Sequence, residues 1–505
     1  MKRYSIILVV LLSALIGALG VLVYQSIDNR NRIIRAETRD WRKLNLILQT
    51  IDENYVDTVD RETVSEAAIV AALAKLDPHS VYMPPVELEE SEDDLAGNFD
   101  GIGIQFNVPN DTAVVLEVIS GGPSEKIGLL PGDRIVKVGD KVIAGVNFPQ
   151  DSMVRRMKGP AGTKVLVTVQ RNGETIPFEI TRDKIPTHSV DAYFMVNDTT
   201  GYLRLSKFSR TTFQEVLAAS LDLLDQGMKK LVFDLRDNTG GFFDQALAVS
   251  NLFLHKGEGI VYMEGLHRSR EEYNADGKGI LKDITLDVLI DDGTASSSEI
   301  VSGAIQDNGR GRIIGRRSFG KGLVQEPVYF SDGSGVRLTV ARFYTPSGRC
   351  IQKPYSDDYY CEVLKRYGTG EMVDADSMKI EMGGIIPDIF VPVDTTKASS
   401  FYKACYSKAT SMRFASAYFD SHKAELQAIE DYDTLLKYLD NAGLDGRFLA
   451  YAAARDGIRP SAGEWPDPYI MTQVKALVSR YSKLGDKAFY HIYLTIDDAF
   501  AASMK

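Results

Sequence analysis

Leu286-Asp287-Val288-Leu289-Ile290 runs directly into Asp291-Asp292-Gly293-Thr294-Ala295-Ser296-Ser297-Ser298-Glu299, after which a helical apolar period continues to about Asp307. A short run of branched apolar residues, ended by an Asp-Asp-Gly turn and followed by helical spacing, predicts a buried strand feeding a helix N-terminus. The same grammar occurs upstream. Lys229 to Leu235 reads as a buried strand, passes into Arg236-Asp237-Asn238-Thr239-Gly240-Gly241, and leads to a helical stretch from Phe242 to Leu254. Two strand–turn–helix units place backbone N–H groups at helix starts, where negative charge is stabilised. They predict an α/β core with its site at the strand ends.

Within the first unit Ser296 has two readings. With Glu299 three residues on it makes a capping box, the commoner role of such a serine. It becomes a candidate nucleophile because of Lys321, 25 residues downstream, between glycines in Ser318-Phe319-Gly320-Lys321-Gly322. A lysine in a Gly-flanked turn with apolar neighbours can enter a dry pocket, where burial disfavours the ammonium and lets the amine act as a base. The plain alternative is a surface lysine in a loop. Gly315 to Lys321 also matches the G-x-x-x-x-G-K phosphate loop. Gly322, however, stands where Ser or Thr would hold Mg²⁺, and Leu323-Val324-Gln325-Glu326-Pro327 reads as strand where a helix is needed. Ser318-x-x-Lys321 matches the penicillin-binding S-x-x-K, but glycines on both sides of the lysine oppose the helix it requires. No G-x-S-x-G elbow occurs.

Upstream, between about Gly97 and Asp183, the texture changes to short β-branched runs (Ala113 to Ile119, Arg134 to Val138, Lys164 to Gln170, Thr175 to Thr181) separated by Gly and Pro turns. This is a small β-rich domain. Gly101-Ile102-Gly103-Ile104 can turn backbone N–H groups inward on a carboxylate, and the strand that follows offers an edge for a peptide. As a dinucleotide fingerprint it fails, since Phe106 stands where the third glycine belongs. With Gly128-Leu129-Leu130-Pro131-Gly132-Asp133-Arg134-Ile135 following, the stretch resembles a PDZ domain. That resemblance implies capture of a C-terminal peptide with an apolar end.

The ends of the chain are helical by period. Lys2 and Arg3 precede Ile6 to Val23, 18 residues without a charge, long enough for a membrane span and with no A-x-A-like cleavage site after it. We read it as a retained anchor with the body outside the cytoplasm, although Arg30, Arg32, Arg35 and Arg39 compete under the positive-inside rule. Two helices are expected between Asp40 and Leu76, as a stalk or assembly segment, and further helices from Thr396 to Lys505. The whole chain has 505 residues, 44% hydrophobic and 25% charged, which is an ordinary globular composition. Lys plus Arg number 58 against 69 Asp plus Glu, a net charge of −11, so nucleic acid is a poor partner. Three cysteines and six histidines without CxxC or HExxH spacing give no metal framework. Outside the cytoplasm Cys350 and Cys361 can pair; an unpaired, buried cysteine is at least as good a reading.

From about Leu76 to Val393 the chain resembles the C-terminal processing peptidases, or tail-specific proteases, serine enzymes with a Ser–Lys dyad and an embedded PDZ domain. The likeness rests on Leu76-Asp77-Pro78-His79-Ser80, Leu235 to Gly241, Gly293 to Ile300, Gly320-Lys321-Gly322-Leu323-Val324-Gln325 and Tyr344-Thr345-Pro346-Ser347-Gly348-Arg349. It implies Ser296 as nucleophile, Lys321 as general base and Gln325 as the group that orients the lysine. The oxyanion hole would be the amide of Ser297 with that of Gly240 or Gly241. The sequence departs from the family pattern at Ser297, where Ala is usual, and at Lys353 to Gly383, which looks like an insertion before Gly384-Ile385-Ile386-Pro387-Asp388. Its last hundred residues lie outside the shared core.

The expected fold is an α/β protease core of strand–turn–helix units, crotonase-like by the resemblance, with an inserted β-rich PDZ domain and helical N- and C-terminal segments. Its expected divisions are an anchor at 1–25, a helical lead-in at 26–96, the PDZ domain at 97–183, the protease core at 184–395 and a helical region at 396–505. The expected function is a serine endopeptidase that recognises substrate C-termini and cleaves through an acyl-enzyme, without cofactor or metal. Expected partners are protein or peptide substrates with apolar C-termini and, through the N-terminal helix, the membrane of the cell envelope on its periplasmic side; a homo-oligomer is left open. The rival reading is a membrane-tethered peptide-binding scaffold with an inactive hydrolase core.

Overall fold

The computed structural model describes residues 42–108, 111–119, 121–355, 366, 371 and 383–505. The anchor expected at Ile6 to Val23 lies outside them, and among the described residues no helix is long and apolar enough to cross a membrane. Two compact units divide between Tyr82 and Met83. In the first, the two expected helices are present at 42–54 and Arg61–Leu73. Asp60 starts the second by accepting from the N–H groups of Glu62 and Thr63. That helix buries none of its residues.

The second unit is built around a six-stranded sheet. Its edge strand Val190–Met195 pairs antiparallel with Thr200–Leu205; Lys230–Asp234, Thr285–Ile290, Arg312–Gly315 and Ile389–Phe390 then follow in parallel. Parallel strands covered on both faces need apolar residues in both phases of the pleat. Leu231 and Phe233 point into the main core with Leu286, Val288, Ile290 and Ile313, against helices Thr212–Asp225, Phe243–Asn251 and Ser297–Asp307. The alternate residues Val232, Leu289 and Ile314 face the other way and pack under Leu494, Ala499 and Phe500 of the C-terminal region. A second, antiparallel sheet contains Leu323–Tyr329, Gly335–Tyr344, Gly259–Gly265 and Arg268–Asn274, in that order.

The β-rich module is a sheet ordered Ile104–Asn107, Ala113–Val118, Arg134–Val138, Lys164–Arg171, Glu174–Thr181. Its core gathers Ile102, Val115, Ile135, Val167 and Ile180 with Met153 and Met157 from helix Gln150–Met157. The C-terminal region folds as helices around Phe401, Phe414, Phe419, Leu435, Phe448 and Val474. Arg236, largely but not completely buried, crosses to Asp497 at 2.6 Å and to Asp234 at 2.6 Å. Burial alone would raise the Asp234 carboxyl, but Arg236 and Arg204 hold it below the usual carboxylate range. Cys350 is an exposed free thiol and Cys405 a buried one, so Cys350 is not in a disulfide; Cys361 lies outside the described residues.

Candidate active site

Both strand–turn–helix units deliver their turns to the same end of the parallel sheet. The turn after Thr285–Ile290 is closed by Asp291, which accepts from Gly293 N at 3.0 Å, and by Thr294, whose hydroxyl donates to Leu235 O at 2.9 Å on the neighbouring strand end. Asp291 also accepts from Asp237 N at 2.9 Å, tying the two turns together. Burial and the Asp237 carboxylate push Asp291 up to about 6. The two loops are in close contact: a Cβ on Gly293 would lie 2.9 Å from Asp237 Cα.

Ser296 follows at the N-cap of helix Ser297–Asp307, with φ 56° and ψ −115°. That is a strained backbone for a residue with a Cβ, of the kind found at functional turns. The back half of the expected capping box is in place, since Glu299 Oε2 accepts from Ser296 N at 2.8 Å. The three consecutive serines differ. Ser297 is buried and its hydroxyl donates to Gly241 O at 2.9 Å; Ser298 is buried and donates to Asn238 O at 3.0 Å. Ser296 is partly exposed.

The glycines of the turn after Lys230–Asp234 approach this serine closely. A Cβ on Gly240, whose φ is +98°, would lie 2.8 Å from Ser296 Cβ and 2.9 Å from Ser297 N; one on Gly241 would lie 2.1 Å from Phe208 O. Only glycine fits. The two glycine amides are not equivalent. Gly240 N donates to Asn238 Oδ1 at 2.9 Å, and Asn238 Nδ2 is itself fixed on Leu205 O at 2.8 Å. Among the described residues no acceptor is found for Gly241 N or Ser297 N.

Lys321 leads into strand Leu323–Tyr329 and is half-buried, less dry than its sequence neighbourhood suggests. Gln325 lies on that strand beside a register shift, opposite Thr339. What links the lysine to the serine is Glu299. This carboxylate is completely buried. Its Oε2 accepts from Lys321 N at 2.8 Å as well as from Ser296 N, so the two amide nitrogens are held no further apart than twice that distance. Its Oε1 accepts from Gly320 N at 2.7 Å and from the Ser318 hydroxyl. Burial pushes the Glu299 carboxyl up, and these donors oppose it. Sequence reasoning assigned Glu299 only a cap. The available signal was a charged residue at the third position of a helix whose residues from Ser297 to Ile305 are all buried, where a carboxylate must find several donors.

In the β-rich module, Gly101 closes strand Asn98–Gly101, Ile102 is buried, Gly103 has φ +72° and Ile104 opens strand Ile104–Asn107. Among the described residues no acceptor is found for the N–H groups of Ile102 and Gly103. Ile104–Asn107 pairs with Ala113–Val118 on one side and ends the sheet on the other. It is the edge expected from sequence.

Comparison with known proteins identifies the family of the chain. Residues 199–360 match the model of peptidase family S41, residues 101–181 the PDZ domain, and residues 20–85 the activating protease CtpB N-terminal domain. The chain is 37% identical to the carboxy-terminal-processing protease of Bartonella bacilliformis, over 66% of this chain and 76% of that one. It is 32% identical to the carboxy-terminal processing protease CtpA of Bacillus subtilis, over 74% of this chain and 80% of that one. Among solved structures, the photosystem II D1 C-terminal processing protease is 29% identical with a TM-score of 0.38, covering 69% of this chain and 92% of that one. With an S41 peptidase fold, a PDZ domain and a helical C-terminal segment, the chain belongs to the C-terminal processing peptidases of family S41 and is a serine endopeptidase.

Proposed function

We propose that Ser296 is the nucleophile and Lys321 its general base, in a site fed by the PDZ domain. The observation that carries this reading is the pair of amides, from Ser296 and Lys321, on one oxygen of buried Glu299. The engagement of the Ser297 and Ser298 hydroxyls with loop carbonyls favours Ser296 over its neighbours. A substrate's C-terminal carboxylate would rest on the N–H groups of Ile102, Gly103 and Ile104, its chain extending along the edge of Ile104–Asn107. The scissile carbonyl would then meet Ser296. Its hydroxyl proton passes to the neutral amine of Lys321 as the Oγ–C bond forms, and the developing oxyanion takes the amides of Ser297 and Gly241. Gly240 is the poorer donor because Asn238 already holds its N–H; its part is to let the chain pass close to Ser296. Collapse returns the proton to the leaving amine, and water resolves the acyl-enzyme with Lys321 again as base. Gln325 would orient the lysine.

The same reading includes substrates with apolar C-termini and attachment to the cell-envelope membrane through Ile6 to Val23, with the catalytic body on the periplasmic side. A crotonase-like description of the core draws support from the parallel strands Lys230–Asp234 and Thr285–Ile290, each followed by a turn that carries candidate site residues. Assembly into homo-oligomers is compatible with the exposed apolar side chains of the lead-in, Leu46, Ile47 and Val70.

Purified Ser296→Ala and Lys321→Ala should each lose several orders of magnitude in the rate of degrading an unfolded protein, because the two act as a unit. The parent rate in either variant refutes the dyad. Amidating the substrate's C-terminus should raise KM with little change in kcat, as expected for a group used for binding alone.

A further inference from the structure

We propose that Arg366 and Glu371, two residues of the stretch that departs from the family pattern, act with Arg317 as positioning residues for the loop that carries Lys321. The proposal rests on the reading of Lys321 as general base. Between strands Arg312–Gly315 and Leu323–Tyr329 the chain has no helix or strand of its own; Gly315 ends the first strand, and Gly320 and Gly322 lie in the segment. Gly315 has φ +129° and Gly320 φ +89°. Such a backbone has many alternatives, so the direction in which Lys321 leaves it must be set by contacts.

Those contacts come from two sides. On one side Glu299 takes Ser318, Gly320 and Lys321, while Phe319 N donates to Thr294 O at 2.9 Å. On the other side, four successive carbonyls are taken by the departing stretch. Arg366 Nη1 donates to Arg317 O at 3.2 Å and Ser318 O at 3.0 Å, and its Nη2 donates to Phe319 O at 3.3 Å. Lys353 N donates to Gly320 O at 3.0 Å, and the Lys353 ammonium lies 3.9 Å from the Phe319 ring centroid.

Arg317 closes the clamp. Its guanidinium, 1% exposed, pairs with Glu371 through Nε and through Nη2 at 3.0 Å, and its Nη1 donates to Gly383 O at 3.1 Å. Arg366 Nε lies 3.9 Å from the same Glu371. Buried ion pairs are poor sources of net stability, because desolvation offsets most of the attraction, and their best-attested use is to fix one arrangement against others. A planar guanidinium with fixed donors suits that task on consecutive carbonyls. The departure from the family pattern thus holds carbonyls of the lysine loop while Glu299 holds its N–H groups.

The test uses the full chain with Arg366→Met, Arg366→Lys and Glu371→Gln, and with Lys321→Ala as reference. Read-outs are kcat and KM on an unfolded protein, Kd of a C-terminal peptide for the PDZ domain, and the folded fraction from thermal melting. Misplacing a reacting group by about 1 Å can cost on the order of a hundredfold in rate. Arg366→Met should therefore lose about that factor in kcat per folded molecule, with KM and peptide Kd unchanged. Arg366→Lys, which keeps a donor, should recover part of it. If Arg366→Met does not fold, Glu371→Gln, which keeps the volume, should show a kcat loss on the order of tenfold with the same unchanged KM. Parent kcat per folded molecule in the variants that fold overturns the clamp, as does a loss that tracks only the folded fraction. If Lys321→Ala also keeps the parent rate, it is the dyad that fails.

Discussion

Ser296 holds a backbone conformation, φ 56° and ψ −115°, that costs on the order of 1–3 kcal/mol and persists only where the surroundings over-determine it. Two residues supply that determination. Glu299 fixes its N–H, and Gly240 leaves the space its Cβ occupies. In Glu299→Gln one oxygen becomes an NH₂ donor facing donors. Ser318 can rotate its hydroxyl to accept, but at least one backbone N–H of Ser296, Gly320 or Lys321 is left without an acceptor, at about 1–3 kcal/mol. We expect a modest fall in melting temperature and a kcat loss of at least about tenfold, from paired melting and turnover measurements. Gly240→Ala should be more severe for activity, because the new methyl would lie 2.8 Å from Ser296 Cβ at φ +98°. Peptide binding by the PDZ domain should survive that substitution, and loss of both together would mean that the effect is global unfolding.

At the level of elements, the strands that build the site were readable because both faces of the parallel sheet are buried, leaving near-continuous apolar runs such as Leu286 to Ile290 that end at Gly-rich turns. The PDZ edge was readable from glycine placement. The roles of Asn238 and Glu299 were not, because neither spacing nor propensity tells which buried polar group will meet which amide across a loop. The same holds for Arg366, whose acceptors lie 47 or more positions away in sequence. Asp291 shows how an element end carries a titration. It is raised from its ordinary 3.8 to about 6, chiefly by burial, so the folded chain retains a proton that the unfolded chain has released. Stability therefore falls as pH rises from about 4 to about 6, by up to about 3 kcal/mol for a shift of roughly two units. Asp291→Asn keeps an oxygen for the N–H groups of Asp237 and Gly293 and removes the charge. It should melt above the parent at pH 7.5 and level with it near pH 4; equal melting at both values would dismiss the effect.

At the scale of the second unit, the C-terminal helices touch two partners by different physics. Against the PDZ domain the contacts are mainly polar and partly exposed: Arg134 pairs with Asp420, and Asn107 Nδ2 donates to Tyr481 Oη at 3.0 Å, beside the apolar contact of Leu116. Against the protease sheet the surface is largely apolar, with Leu494, Ala499 and Phe500 covering Val232, Leu289 and Ile314, and Asp497 meets the largely buried Arg236. Exposed ion pairs contribute about 0–1 kcal/mol, whereas removing one partner of a buried pair costs about 3–5. Asp420→Ala should thus shift the unfolding free energy by less than about 1 kcal/mol. Asp497→Ala should cost about 3 kcal/mol: less than a full orphaning of Arg236, which keeps Asp234, but including the cap that Asp497 provides to Phe500 N at 2.9 Å. Asp497→Asn retains the cap and loses only the charge, so it should fall between Asp497→Ala and the parent in denaturant unfolding. A value level with the parent would mean that the ion pair contributes nothing and that the tail is held to the sheet by its remaining contacts.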